Sequence, residues 1–318
     1  MLPADPGDLA GVHLAPLVSG GAVPSLAWAV VQDSGVRLGG FGGAGPRTIF
    51  QIGSVTKVFT ALLLADMAER GEVTLSGPAA RYLPGGSGPV TLADLATHTS
   101  GLPRLPRSLL WSALVRPQDP YRRYPAARFT RAGRRSLRTA SGGRAYRYSN
   151  YGYGLLGQLL GRAAGSSYES LVTERICGPL GLPDTAFEVP AGDRKAQGHQ
   201  GGRRVRDWRL GAFAGPGGLY STAADLASLL SAVLDPAATP LEAAIRATLT
   251  PRRQIPSGQI SLAWHHTRRG VIWHNGMTGG FSSMIAFAPA RKLGVAVLAN
   301  SAVQRPSPLD QAVFGVFR

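Results

Sequence analysis

The spacing of apolar residues changes character twice along this chain, and that limits its fold more than any other feature. After a short amphipathic helix over 7–19, residues 25–32 and 36–41 read as a strand pair joined by a tight Asp33-Ser34-Gly35 turn. A glycine-rich bend at 42–45 and the run Ile49–Gly53 follow. Val55, Val58, Phe59, Leu62, Leu63 and Met67 then recur at helical spacing, predicting a helix from Ser54 to about Glu69 that Gly71 ends. Up to about residue 245 the signals stay mainly helical, over 91–97, 152–164, 167–177 and 222–234, separated by long proline- and arginine-rich connections. Short β-rich runs return at 260–264, 270–274, 281–288 and 293–299, the last two joined by a hairpin-like turn at Pro289–Lys292, and a final helix is expected over 307–317. Strands at both ends with a helical stretch between them predict an α/β lobe made from both ends, about 1–75 and 245–318, and an all-helical lobe, about 76–244, within one domain. A cleft between the lobes is the expected ligand site.

Composition excludes several classes. The chain has 318 residues, 44% of them hydrophobic, which is too apolar for a disordered chain and long enough to bury a large core. Cys177, the single cysteine, rules out an internal disulfide framework and any cysteine-rich metal site, and its context at an apparent helix end suits a buried thiol. The histidines show no metal spacing: His265 and His266 adjoin, and neighbours in a strand point to opposite faces. No metal or other cofactor is expected. The glycine patterns beginning at Gly40 and Gly152 match a dinucleotide fingerprint, but Pro46 follows the first and no strand precedes the second, so nucleotide binding is not expected. No stretch of eighteen apolar residues exists, so no membrane span is expected, and no basic residue precedes Arg37, so no secretory signal is visible. A cytoplasmic location is the resulting expectation.

The formal charge is +16, from 31 arginines against three lysines, Lys57, Lys195 and Lys292. With 42 glycines and 24 prolines, a coding bias accounts for the arginine excess as such. It does not account for a retained lysine at a chemically suggestive place. Lys57 stands three residues after Ser54, so the two side chains share a helix face. An arginine cannot give up its proton, whereas a buried lysine beside a positive helix end can be neutral and act as a base. Ser54 is then a candidate nucleophile whose own backbone N–H lies at a helix start, where an oxyanion is stabilised. Taken alone, the same spacing also describes a helix cap with a solvated lysine.

Two further clusters have chemical meaning. In Tyr148-Ser149-Asn150 the phenol can shuttle a proton and the Asn150 amide can bind a carbonyl; the plain alternative is a buried tyrosine with a capping asparagine. In His274-Asn275-Gly276 the glycine would let a substrate backbone approach the strand edge, with His274 on the same side; the plain alternative is a strand-end histidine before a turn.

Together and in this order, these motifs resemble the serine β-lactamase and penicillin-binding-protein superfamily, in its class C β-lactamase-related branch of esterases, D-aminopeptidases and β-lactamases. The resemblance runs from about residue 20 to 300 through Phe50-Gln-Ile-Gly-Ser-Val-Thr-Lys57, Leu95-Ala-Thr-His-Thr-Ser-Gly-Leu102, Tyr148-Ser-Asn-Tyr-Gly-Tyr153, Gly217-Gly-Leu-Tyr-Ser-Thr222, His274-Asn-Gly276 and Gly279-Gly-Phe-Ser-Ser283. It implies a β-lactamase/transpeptidase-like α/β (α+β) fold, an antiparallel sheet built from both chain ends and flanked by helices, plus the all-helical lobe. It also implies that Ser54 attacks a carbonyl carbon while Lys57 and Tyr148 take and return its proton. The oxyanion would sit between the N–H groups of Ser54 and Met277, Asn150 would hold the substrate amide or carbonyl, and His274 would assist from the facing strand. The family's β-lactamases carry a lysine where His274 stands here, so efficient β-lactam turnover is not expected, and the absence of a signal argues against a cell-wall role.

The resulting expectation is a serine hydrolase that cleaves an ester or amide through an acyl-enzyme on Ser54. The alternative is an acyltransferase or peptide-cyclising enzyme that passes the acyl group to an amine. A more distant one is a non-catalytic basic binding protein, disfavoured because no interleaved basic-aromatic motif for nucleic acid appears and Ser54, Lys57 and Tyr148 would go unexplained. Residues 103–147 hold twelve arginines and one acid, Asp119, so most of the net charge sits in one segment. The resemblance places that segment over the cleft, where it is expected to recruit an acidic substrate or an acidic carrier protein. A solvated arginine-coded loop is the competing reading.

Overall fold

A computed structural model describes residues 6–107, 109, 119, 121, 124–303 and 307–318. Chain-end strands and C-terminal strands form one antiparallel sheet of eight. Its members are β1 (Leu26–Gln32), β2 (Gly35–Phe41), β3 (Arg253–Ile255), β4 (Gly258–Ile260), β5 (His265–His266), β6 (Ile272–Met277), β7 (Ser282–Ala288) and β8 (Leu293–Ala299), in the spatial order β2-β1-β8-β7-β6-β5-β4-β3. The join between the two ends of the chain is the β1–β8 ladder, which runs from Leu26 opposite Ala299 to Val31 opposite Gly294. β7 and β8 are buried along their whole length, as strands covered on both faces must be.

Helices α1 (Pro6–Ser19), α2 (Thr56–Glu69), α3 (Leu92–Ala96), α4 (Ala126–Thr139), α5 (Asn150–Ala164), α6 (Ala223–Leu234), α7 (Glu242–Leu249) and α8 (Pro308–Val316) surround it. One face of the sheet carries α1 and α8, with Leu14, Leu309, Val313 and Val316 packed on Val30, Met284, Val295 and Val297. The other face joins the main core with α2, α5 and α6. Serine and threonine caps set several helix starts: Thr91 with Asp94 forms a capping box at α3, and Ser149, Thr222 and Ser307 each accept an N–H from the first turn.

The pattern at both ends matches the sequence reading closely. Three stretches differ from it. The expected strand over 260–264 ends at Ile260; a turn with Ala263 at φ +70° intervenes, its N–H bonded to the Ala96 carbonyl, before β5 begins. Residues 126–139, read as part of an arginine-rich connection, form helix α4, anchored by buried Phe129, Gly133 and Leu137 at every fourth position. Finally, α6 lies within the range expected to be the helical lobe, yet packs on the sheet, with Leu230 and Leu234 closing over Gly294 of β8.

Candidate active site

The site forms where the start of α2 meets the open end of β6. Phe50 and Gln51 pair with Ser221 and Tyr220, and the chain then turns through one tight helical turn, Gly53–Val55, into α2. Gly53 holds φ +47°, and a Cβ there would meet the Met277 backbone at 2.8 Å, so only glycine fits. Gly276 faces it, and its missing Cβ would lie 2.1 Å from the Ile52 carbonyl and 2.8 Å from the Ser54 nitrogen. The sequence reading gave Gly276 to a close approach by substrate; the same missing Cβ also admits the protein's own backbone. The Ser283 hydroxyl, donating to the Ile52 carbonyl at 2.7 Å, closes the same junction. Alternation along β6 sends His274 and Gly276 inward and Asn275 outward, where its amide donates to Asp310 on α8.

Lys57 is fully buried, and its Nζ donates to the Ser54 hydroxyl at 2.9 Å and to the Pro216 carbonyl at 2.8 Å. Its ammonium form is disfavoured first by burial and then by the positive charge of Arg104, so its pKa lies well below the ordinary lysine value. The Tyr148 hydroxyl donates to the same Ser54 oxygen at 2.8 Å. Lys57 Nζ also stands 4.8 Å from the Tyr148 ring centre and 5.5 Å from that of Tyr153. Ser54, Lys57 and Tyr148 are therefore in mutual contact.

Tyr148 owes its place to a backbone zipper between two stretches about fifty residues apart. Asp94 accepts from the Gly143 N–H, Thr99 and His98 carbonyls accept from Arg144 and Arg147, and His98 Nδ1 accepts from the Ser149 N–H at 3.1 Å. Beyond Tyr148, Ser149 donates its hydroxyl to the Pro103 carbonyl, and the Tyr151 N–H donates to the Arg104 carbonyl. The His98 ring lies 4.5 Å from the Tyr148 ring. Since Nδ1 accepts, the ring proton is on Nε2, which is buried among Tyr146, Tyr148 and Tyr153 without a hydrogen-bond partner among the described residues. Burial, reinforced by Lys57, His265 and His274, keeps His98 well below the usual histidine pKa. His98 sits at φ +60°, a costly conformation for a residue with a Cβ. The sequence reading quoted it only inside a motif and gave it no role; only the fold shows what it touches.

Asn150 is the first residue of α5, and Ser149, not Asn150, is the cap. The Asn150 amide hydrogen-bonds the Tyr121 hydroxyl, while its Oδ1 is buried and lacks a partner among the described residues. His274 is buried, with Nδ1 2.8 Å from the Asn275 carbonyl, so Nδ1 carries a proton. Met277 exposes its side chain, and its backbone lies against Gly53. Cys177 is a free, buried thiol, pushed up to about 12 by burial. Among the described residues no group of histidine, cysteine or acidic side chains could hold a metal ion, and no helix is long and apolar enough to cross a membrane.

A serine, a deprotonatable lysine and a tyrosine arranged on this scaffold invite comparison with known proteins. The family profile described as Beta-lactamase matches residues 13–314. The chain belongs to the beta-lactamase family. Members similar to it include the D-alanyl-D-alanine-carboxypeptidase/endopeptidase AmpH of Escherichia coli (strain K12), 30% identical over 79% of this chain and 70% of that protein. A Beta-lactamase of the same organism is 26% identical over 96% of this chain and 91% of its own length. A solved class C beta-lactamase superposes with a TM-score of 0.87 at 21% identity, covering 98% of this chain and 95% of that one. The antiparallel sheet with flanking helices is thus the fold of this family, and the chain is a serine hydrolase.

Proposed function

We propose that this beta-lactamase-family member cleaves an ester or amide through an acyl-enzyme on Ser54. The observation that supports this best is the contact of one serine oxygen with both Lys57 and Tyr148, at 2.9 and 2.8 Å. In the first half-reaction the Ser54 oxygen bonds to the substrate carbonyl carbon and its proton passes to the neutral Lys57 amine. The carbonyl oxygen takes the negative charge and is met by the N–H groups of Ser54 and Met277. The intermediate expels the leaving group, which takes a proton through Tyr148. Water then attacks the acyl-enzyme, and the same groups return the proton to Ser54. His98 keeps Tyr148 in place, His274 lines the facing strand, and the bare Asn150 Oδ1 accepts an N–H of a bound acyl chain.

The exposed arginines of α4, Arg128, Arg131, Arg134, Arg135 and Arg138, make no ion pair among the described residues, and the helix itself contains no acid. They support recruitment of an acidic substrate or acidic carrier protein. Arg122 and Arg123, in the same segment, lie outside the described residues.

Incubation with an activated ester or a β-lactam, followed by mass spectrometry, tests the reading. The expected result is one acyl adduct on Ser54, absent from Ser54→Ala; no adduct on the wild type overturns it. Adding amine acceptors separates the two fates of the acyl group: acid as the sole product is hydrolysis, amide product is acyl transfer.

A further inference from the structure

Among the described residues, the exposed guanidinium of Arg104 stands one aromatic ring away from the serine. Arg104 is held by its backbone, whose carbonyl accepts from the Tyr151 N–H, while the preceding Pro103 carbonyl accepts from Ser149. Both bonds clamp it to the stretch that carries Tyr148. Its guanidinium carbon lies 5.5 Å from the centre of the Tyr148 ring. Its charge is felt both at Lys57 and at Tyr121, the residue hydrogen-bonded to Asn150. Yet Arg104 is exposed and forms no ion pair among the described residues, unlike Arg47, Arg70, Arg175, Arg194 and Arg246, each matched to an acid.

The facing strand presents a histidine rather than a lysine or arginine. Its inward side chain is His274, whose protonated Nδ1 is engaged by the Asn275 carbonyl. Among the described residues, the fixed positive charge of Arg104 therefore lies on the wall shared by Asn150, Tyr121 and Tyr148. A guanidinium free to fork onto two oxygens, on a clamped backbone, is a receptor for a carboxylate.

We propose that Arg104 reads a carboxylate on the acyl part of the substrate, so that the preferred substrates are half-esters or half-amides of dicarboxylic acids, or acyl groups with an acidic side chain. This rests on acylation of Ser54. An acyl chain leaving the serine along the Asn150 wall crosses the Tyr148 ring, roughly 6 Å or about five carbon–carbon bonds, before it meets the guanidinium. The α4 arginines draw anions to the region over many ångströms, whereas Arg104 tells one bound acyl group from another.

The test uses two matched pairs of esters. The first pair is the 4-nitrophenyl monoester of adipic acid and 4-nitrophenyl hexanoate, which differ in charge on the acyl part. The second is the acetates of 4-hydroxybenzoate and 4-hydroxybenzamide, which differ in charge on the leaving group. Wild type is expected to favour the adipate monoester in kcat/KM by about tenfold. Arg104→Gln lowers that ratio by about tenfold, Arg104→Lys keeps part of it, and the preference shrinks as salt rises from 0.05 to about 0.5 M. Using the ratio removes any effect of Arg104 on Lys57, which is common to both esters. A wild-type ratio near one, a ratio unchanged in Arg104→Gln, or a charge preference confined to the second pair overturns the proposal. If wild type hydrolyses both acyl esters through Ser54 without preference, only this inference fails. If Ser54→Ala is as active as wild type, the acyl-enzyme reading itself fails.

Discussion

Two sets of basic side chains meet near the start of α5, and they could hardly be treated more differently. Lys57 is fully buried, touches a serine, a backbone carbonyl and two aromatic rings, and is driven toward its neutral form. The α4 arginines stand in water on a helix whose only buried side chains are Phe129 and Leu137, together with Gly133. Burial makes the first cation expensive, so the fold keeps a residue able to shed its charge; exposure makes the second set almost free, so nothing in the packing selects among them. A basic side chain thus means chemistry in one place and a long-range field in the other.

The sharpest way to break this contrast is Lys57→Arg, which keeps the charge and removes the ability to lose it. Acylation of Ser54 should fall at least about a thousandfold, and thermal unfolding should show a loss of about 3 kcal/mol from an uncompensated buried cation. Wild-type acylation by Lys57→Arg would mean that a neutral side chain is not required there. Next comes Tyr148→Phe, which deletes the hydroxyl 2.8 Å from the serine but keeps the ring against His98. A kcat lower by about a hundredfold with an unchanged melting temperature would mark proton transfer; a fall in stability instead would mark a packing role.

A pH series sharpens the comparison more gently. The rate should rise with pH as Lys57 loses its proton, through a native pKa set well below the ordinary lysine value by burial and by Arg104. Arg104→Gln removes one of those two causes, so the rising limb should move to higher pH. Stability carries the same signature. Between the depressed native pKa and the ordinary value the unfolded chain holds a proton the native chain lacks, so stability increases with pH across that window. Lys57→Met should lack this component in denaturant titrations at several pH values. The smallest effect belongs to Arg128, Arg131, Arg134 and Arg135 replaced together by glutamine. Each substitution should alter stability by no more than about 0.5 kcal/mol, while the rate with an acidic partner or substrate falls at low salt and converges with wild type at high salt. An equal rate at low salt would leave the arginine segment without a recruiting role.

Legibility in the sequence followed the range of the interactions. The β1–β2 turn, α2 and the β7–β8 hairpin rest on neighbours in the chain, and their periodicity showed them. The Ser54–Lys57 pair lies on one helix turn, and the low lysine count drew attention to it. Helix α4 escaped because three anchors among polar and charged residues make a thin apolar stripe, and only contact with α5, where Leu155 fits over Gly133, gives it value. His98 escaped for a different reason. Its ring nitrogen, its carbonyl and its ring face all serve residues about fifty positions away, and no local pattern encodes that. Gly276 was noticed as a place for a close approach by substrate, and the fold adds a second such approach there, by the backbone of Ile52 and Ser54.

The β1–β8 ladder, which fastens the first strand to the last, also governs how the chain can be made. β1 gains β2 as a neighbour as soon as residue 41 leaves the ribosome, but its other edge waits for residues 293–299, about 270 positions later. At a synthesis rate of about 5–20 residues per second that interval is roughly 15 to 50 seconds. Throughout it the nascent chain exposes the unpaired edge of a strongly apolar strand, and Ser54 has no Gly276 to rest against. The junction of Ser54 with Gly276 is therefore among the last features to be assembled, and a truncated chain would lack it and be prone to aggregation.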